Sequence, residues 1–187
     1  MTAHDSARQT GQAGLAWNSA KLASARTLTL NSPDFAGEGA IPAVHASVRA
    51  GGRNLSPALT WSPAPADTAQ LLLVIEDPDA PMPTPFVHCV ALLDAAVTGL
   101  AAGALDADNP AGGVHILRSS RGRGYFGPEP PKSHGPHRYV FQLFALATPV
   151  ALGQSAAALD AAKPRDVLAA AGNVLARGRI DGFYQRG

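Results

Sequence analysis

One cysteine, Cys89, stands in a chain of 187 residues. That excludes an intramolecular disulfide and fits a reducing compartment. Lysine is nearly as scarce: Lys21, Lys132 and Lys163 are the only ones among 15 basic residues. Charged residues make up only 16% and the formal net charge is +1. No basic field exists to hold a phosphate backbone, so nucleic-acid binding is disfavoured. Long apolar runs are missing too. The longest, residues 71–75 and 89–93, fall far short of the ~20 residues of a membrane-spanning helix, so no integral membrane association is expected. Near the N-terminus Gln9, Gln12, Asn18, Ser19 and Lys21 break up any apolar stretch of signal-peptide length, and a cytoplasmic location is expected.

Large apolar side chains are also few. Hydrophobic residues reach 46%, but 37 of them are alanine, and Leu, Ile, Val and Phe together number 41. One core can be filled from that supply, whereas two independent cores would be thin. This shortage makes further burial useful and is one motive for expecting a homodimer. Glycine and proline, at 19 and 16 residues, are plentiful. Such punctuation favours a turn-rich, mainly β architecture over a helical bundle.

Residues 1–26 are small and polar without a period and read as a flexible N-terminal arm, Trp17 being the one side chain there worth burying. Residues 27–187 then read as a single domain. Short apolar runs predict strands at 27–30, 44–48, 58–61, 69–76, 86–93, 114–117 and 138–147, a count and spacing typical of a sandwich or barrel. Val167, Leu168, Ala171, Val174 and Leu175 share a face at helical spacing, which predicts a helix over 164–177 with Pro164 in its first turn. Residues 155–160 fit a helical turn and 180–184 a last short strand.

Several apparent motifs carry no chemistry. Gly122, Gly124 and Gly127 spell G-x-G-x-x-G, but Pro128, Pro130 and Pro131 follow at once and forbid the helix that a dinucleotide fingerprint must open. Cys89 sits beside His88, yet neighbours in a strand point to opposite faces, and its apolar surroundings predict an inert thiol. No serine or threonine lies in a motif of an activated nucleophile. No close His or Cys spacing supports a metal site. A catalytic role, a metal and a cofactor are therefore not expected.

A different set of residues has the makings of a site. Asp77 and Asp79, in Asp77-Pro78-Asp79-Ala80-Pro81, end the most apolar strand of the chain. Strand alternation puts His88 on the face of Phe86, Val90 and Leu92, and puts His137 and Tyr139 on the face of Phe141 and Leu143. If these strand ends adjoin, two imidazoles, a phenol and two carboxylates converge. The stiff loop Gly127-Pro128-Glu129-Pro130-Pro131 lies between them in sequence. The bland alternatives are a solvated acidic turn and core histidines. By the same alternation Arg138 faces away, and its role is structural: pairing with a carboxylate, one of the two aspartates being the candidate.

DPDAP, the strand histidine His88, the stretch YFGPEPP and the stretch HRYVF together resemble the two signature regions of the phosphatidylethanolamine-binding protein family. That family includes the Raf kinase inhibitor proteins and bacterial relatives. LNSPDF, Ile41-Pro42, Asn54-Leu55-Ser56-Pro57 and Leu59-x-Trp61 resemble the opening of the bacterial branch. The resemblance runs from about Leu28 to Tyr184. It implies a two-sheet antiparallel β-sandwich with a C-terminal helix and short peripheral helices. It also implies an anion pocket built by Asp77, His88, His137 and Tyr139 and walled by Asp79 and residues 127–131. Bacterial relatives often flank the strand histidine with tryptophans, where this chain has Val87 and Cys89, and Glu129 adds a negative charge to the loop. Members of the family are described as phosphoryl-ligand or phospholipid binders, as kinase regulators and as protease inhibitors. The expected function is a non-catalytic protein that binds a phosphate-containing or zwitterionic small ligand. The alternative is a regulator that inhibits a partner kinase or protease through the pocket rim.

Overall fold

A computed structural model of the chain describes residues 11–153 and 155–187. Among them eleven strands follow in chain order: β1 (Leu30–Asn31), β2 (Gly39–Ala40), β3 (Leu59–Trp61), β4 (Gln70–Asp77), β5 (Phe86–Asp94), β6 (Gly99–Leu100), β7 (Val114–Ile116), β8 (Arg118–Ser119), β9 (Gly122–Arg123), β10 (His137–Leu146) and β11 (Val174–Tyr184). Two short helices, α1 (Ala156–Ala161) and α2 (Pro164–Ala170), lie between the last two strands. The central sheet has the order β2-β11-β10-β4-β5-β7, and a three-stranded sheet β1-β3-β6 faces it. Strands β8 and β9 form a separate hairpin. All pairings are antiparallel except β2 with β11. The mainly β, sandwich-like architecture expected from the sequence is the one observed.

β4 is buried along nearly its whole length because both faces of the central sheet are covered. Leu71, Leu73 and Ile75 pack with Phe141, Leu143, Leu59 and Leu100 on the side of the smaller sheet. Leu72 and Val74 pack with Val90, Leu92, Phe144 and Leu146 on the other, under α2 and residues 16–22. Alanines and short loops let the limited stock of large side chains serve both faces.

The structure departs from the sequence expectations at four places. Residues 44–48 form no strand; they run through two tight helical turns, Ala43–His45 and Val48–Ala50. The helix expected over 164–177 stops at Ala170, and Val174 begins an eleven-residue strand. Asn173, at φ 53°, makes the turn, and pairing with β10 from Val174 to Tyr184 outweighs the local helical period. The strand expected over 27–30 shrinks to Leu30–Asn31 plus an isolated bridge from Thr27 to Arg177. The arm expected over 1–26 divides: residues 1–10 lie outside the described residues, while 11–26 pack onto the sheet. Leu15 and Leu22 are buried there, and the Ala16 and Trp17 amides donate to Glu76 (2.7 Å) and Gln142 (2.6 Å). Backbone donors meeting buried side-chain acceptors hold this segment, a signal invisible to apolar periodicity.

Candidate functional site

Antiparallel pairing of β10 with β4 and of β4 with β5 brings the start of β10, the end of β4 and the start of β5 to one corner of the central sheet. A cavity of about 190 Å³ opens there, lined by Asp77, Phe86, His88, Arg121, Phe126, Glu129, Pro130, Pro131, His137 and Tyr139, with Ala80, Pro81 and Met82 at its lip.

Alternation along β10 works as expected: His137 and Tyr139 face the cavity and are buried, and Arg138 lies on the opposite side. Alternation along β5 does not. Pairing steps from Ile75–Cys89 to Glu76–Val87, so His88 is left out of register as a bulge. The expectation that His88 shares a face with Val90 and Leu92 is corrected by this irregularity. Val87, Val90 and Leu92 belong to the helix-side core, whereas His88 sits against Tyr139, ring centroids 5.1 Å apart, on the same side as Cys89. The thiol is nonetheless inert, because complete burial pushes its pKa up to about 12.

Two hydrogen-bonded imidazoles define the chemistry. His137 donates from Nδ1 to Oδ2 of Asp77 over 2.8 Å, and its Nε2 lies 3.3 Å from Nδ1 of His134. Asp77 is itself fixed, since its Oδ1 accepts the backbone N–H groups of Asp79 (2.7 Å) and Ala80 (3.1 Å). His88 donates from Nδ1 to the Phe126 carbonyl over 2.5 Å. That bond settles its tautomer and leaves Nε2 as a lone pair in the neutral ring. Burial lowers the His88 pKa below its ordinary 6.5, against the opposing pull of Asp77 and the Phe126 carbonyl. Phe126 stacks on His88 at 18°, and the Arg121 guanidinium lies 5.0 Å from the Phe126 ring centre.

Tyr139 is the outlier. Its hydroxyl is buried and makes no hydrogen bond. The Glu129 amide dipole favours the phenolate without reaching bonding geometry, while burial and the charge of Asp77 raise the pKa strongly. The hydroxyl therefore stays protonated, a donor without an acceptor.

The loop 127–131 is braced from behind. The Gly127 amide donates to Oδ1 of Asn54 (2.8 Å), and the Ser47 amide donates to the Pro128 carbonyl (3.0 Å). A Cβ on Gly127 would lie 2.3 Å from the His45 carbonyl oxygen, so only glycine allows this approach. Glu129 turns its carboxylate to the Ser47 hydroxyl (2.7 Å) and toward Arg49 (3.6 Å). Of the loop, Glu129, Pro130 and Pro131 line the cavity, while Gly127 and Pro128 support them from outside it. Asp79 also stands off the lining: its carboxylate accepts the backbone N–H of Arg138 over 2.8 Å.

The Arg138 guanidinium binds Asp181 (2.6 Å) and Glu38 (2.8 Å), not either aspartate of the acidic turn, because those partners lie on its own side of the sheet. Sequence reading missed Arg121, Phe86, Phe126 and Met82. None has a signature of its own; the turns between strands carry Arg121, Phe126 and Met82 to the cavity, and Phe86 enters it as the first residue of β5. Among the described residues no group of three or more His, Cys, Asp or Glu is arranged to hold a metal ion, and no helix is long and apolar enough to cross a membrane.

Comparison with known proteins agrees with this architecture. The mycobacterial LppC of Mycobacterium tuberculosis, whose name designates it a candidate lipoprotein, is 41% identical over 142 residues, covering 74% of this chain and 65% of LppC. The chain thus spans somewhat under two thirds of that relative's length. A UPF0098 protein of Methanothermobacter thermautotrophicus is 36% identical over 138 residues, covering 73% of this chain and 86% of its own. The crystal structure of Escherichia coli YbcL, described as a member of the mammalian PEBP family, superposes with a TM-score of 0.70 at 30% identity over 84% of this chain and 98% of YbcL. Residues 31–185 match the phosphatidylethanolamine-binding protein family as a whole. With that match running across nearly all of both sheets, the chain belongs to the phosphatidylethanolamine-binding protein family.

Proposed function

We propose that this protein is a non-catalytic binding protein whose corner cavity takes a small phosphoryl-bearing group, best a zwitterion such as phosphoethanolamine. The unpartnered Tyr139 hydroxyl carries the reading. A buried hydroxyl without a partner costs about 1–3 kcal/mol, a cost that a bound acceptor oxygen removes. His88 supports it: neutral near pH 7, it takes up a proton as an anion arrives and becomes a second donor through Nε2. The negative charge of Asp77 on the cavity wall suits the ammonium end of a zwitterion. A cavity of about 190 Å³ suits a headgroup and not acyl chains. The cavity offers no activated nucleophile, which favours binding over turnover.

Calorimetric titration of phosphoethanolamine, inorganic phosphate and ethanolamine at millimolar concentration tests this. Phosphoethanolamine is expected to bind most tightly and ethanolamine not at all. Absence of heat from all three with folded protein refutes the proposal. We also propose, on the scarcity of large apolar side chains and the polar residues that interrupt the N-terminal stretch, that the protein is a cytoplasmic homodimer. Light scattering at tens of micromolar is then expected to give twice the 19.1 kDa chain mass, and fractionation to leave the protein outside the membrane pellet.

A further inference from the structure

Between Asp77, the last residue of β4, and Phe86, the first of β5, the chain has little of its own to hold it. Residues 78–85 include Pro78, Pro81, Pro83 and Pro85, none of which can donate a backbone hydrogen bond. Residues 81–84 are exposed, whereas Glu76, Asp77 and Pro85 at the two ends are buried. These ends are fixed from the side of the sheet away from the cavity. Glu76 points to that side with Leu72 and Val74, while Asp77, the next residue, points into the cavity. The Arg165 guanidinium pairs with Oε1 of Glu76 (2.7 Å) and donates to the Pro85 carbonyl (2.8 Å), so one planar group grips the chain at both ends of the loop. Arg165 is set in turn by its place in α2, whose Val167 and Leu168 are buried in the core on that face.

The N-terminal segment closes the same junction. Arg165 also donates to the Gly14 carbonyl (3.2 Å), and the Ala16 amide donates to Oε2 of Glu76 (2.7 Å). Gly11 and Gly14 lie against the loop itself: a Cβ on Gly11 would run into the Pro78 carbonyl, and one on Gly14 would meet the Pro85 ring at 2.8 Å. Past these contacts Arg177 anchors the segment independently, donating to the Trp17 carbonyl (2.6 Å) and lying over the Trp17 ring at 4.1 Å. The grip of Arg165 falls beside the bulge. β4 and β5 pair Ile75 with Cys89 but Glu76 with Val87, and the extra residue is His88. A slip of β5 by one residue would erase the bulge, move the Pro85 carbonyl about 3.3 Å along the strand and turn His88 to the other face of the sheet. The guanidinium cannot follow, because Glu76 and the Gly14 carbonyl hold it in place.

We propose that Arg165 is a positioning residue for the cavity. Its grip on Glu76 and Pro85 keeps the bulge that turns His88 toward Tyr139, and residues 11–17 complete the clamp. By linkage, a ligand that needs His88 in this position stabilises the docked segment as much as the docked segment stabilises the site. The positioning half stands on the unliganded geometry; the coupling half rests on the phosphoryl reading of the cavity. The clamp needs arginine and not merely a cation. A lysine ammonium pairs with Glu76 but lacks the fork that reaches the Pro85 and Gly14 carbonyls at once.

Hydrogen exchange followed by NMR on the full chain tests both halves. In the wild type the Nδ1 proton of His88, held by the Phe126 carbonyl, is expected as a ring resonance protected from solvent. In Arg165→Lys that proton is expected to lose about tenfold more protection than the backbone amides of Leu72 and Leu73 in β4. Gly11→Ala, which pushes the segment off Pro78 without touching a charge, is expected to give the same selective loss. Affinity for inorganic phosphate is expected to fall about fivefold in both variants. In the wild type, saturating inorganic phosphate is expected to slow exchange at Ala16 and Trp17 about threefold more than at Leu28, whose amide bonds Arg177 away from the cavity. Equal loss of protection at His88 and in β4 in both variants makes Arg165 a stabilising ion pair only and overturns the proposal. Phosphate that binds the wild type without slowing Ala16 and Trp17 overturns the coupling. If inorganic phosphate does not bind the wild type, the phosphoryl reading fails, and the His88 comparison in unliganded protein alone decides the positioning role.

Discussion

Tyr139 and Arg138 are adjacent in sequence and opposite in consequence. Tyr139→Phe removes a buried hydroxyl that bonds nothing in the unliganded protein, so stability is expected to hold or rise, by up to about 1 kcal/mol. Phosphate affinity is expected to fall about tenfold, the worth of one hydrogen bond to a charged acceptor. Thermal melting and calorimetry on the same variant check both halves. Arg138→Ala is expected to do the reverse. It breaks the bonds to Asp181 and Glu38 and the stacking over Phe183 at 4.5 Å. Asp181 keeps Arg179 (2.6 Å), so the loss is about 1–2 kcal/mol, below that of a fully orphaned buried charge. Asp79 is held by the Arg138 backbone, which alanine retains, so ligand affinity should change little. His88 adds a pH signature. Its folded pKa lies below 6.5 because burial disfavours the cation. The unfolded chain therefore binds the proton first: the stability is fully present above pH 6.5 and is lost as pH falls below it. Melting temperature in the absence of ligand should drop on acidification below that point, and less steeply in His88→Gln.

At the level of elements, the legible parts of the sequence were those with an unbroken period. Simple alternation in β10 separates His137 and Tyr139 from Arg138, and the apolar run of β4 marks a central strand. β5 defeated the same rule because one bulge, absent from any residue pattern, turns His88 toward Tyr139. β11 was hidden by alanines and leucines that satisfy a helical period as well as a strand. Residues 11–22 were hidden because their anchors are backbone groups. Glu76, fully buried in β4 next to Asp77, accepts the Ala16 amide (2.7 Å) and the Gln142 side chain (2.8 Å) and pairs with Arg165 (2.7 Å). Gly14 lies so close to Pro85 that a Cβ would meet its ring at 2.8 Å. The segment and Pro85, just ahead of β5, are thereby tied to the same polar junction, since Arg165 donates to the Pro85 carbonyl as well. Glu76→Gln leaves the Arg165 cation unpaired and should cost about 3 kcal/mol, read from the chemical denaturation midpoint. An unchanged midpoint would show that residues 11–22 are held by apolar packing alone.

Across the whole molecule, one sheet buried on both faces resolves the shortage of large apolar side chains. The same leucine-rich strand β4 feeds a core toward β1-β3-β6 and another toward α2 and residues 16–22. The fold class was legible from glycine, proline and short apolar runs, whereas the meeting of three strand ends at one corner was not, since it depends on the order β10-β4-β5. The central claim is that an anion in the cavity is received by His88 and Tyr139. It is tested most directly by the side-chain nitrogen NMR spectrum of the histidines, followed against pH with and without saturating inorganic phosphate. The expected spectrum shows His88 neutral at pH 7 with its proton on Nδ1, and a pKa that rises by about one unit or more when phosphate binds. A His88 titration that is the same in both series, with the protein folded and phosphate at millimolar concentration, would contradict the account.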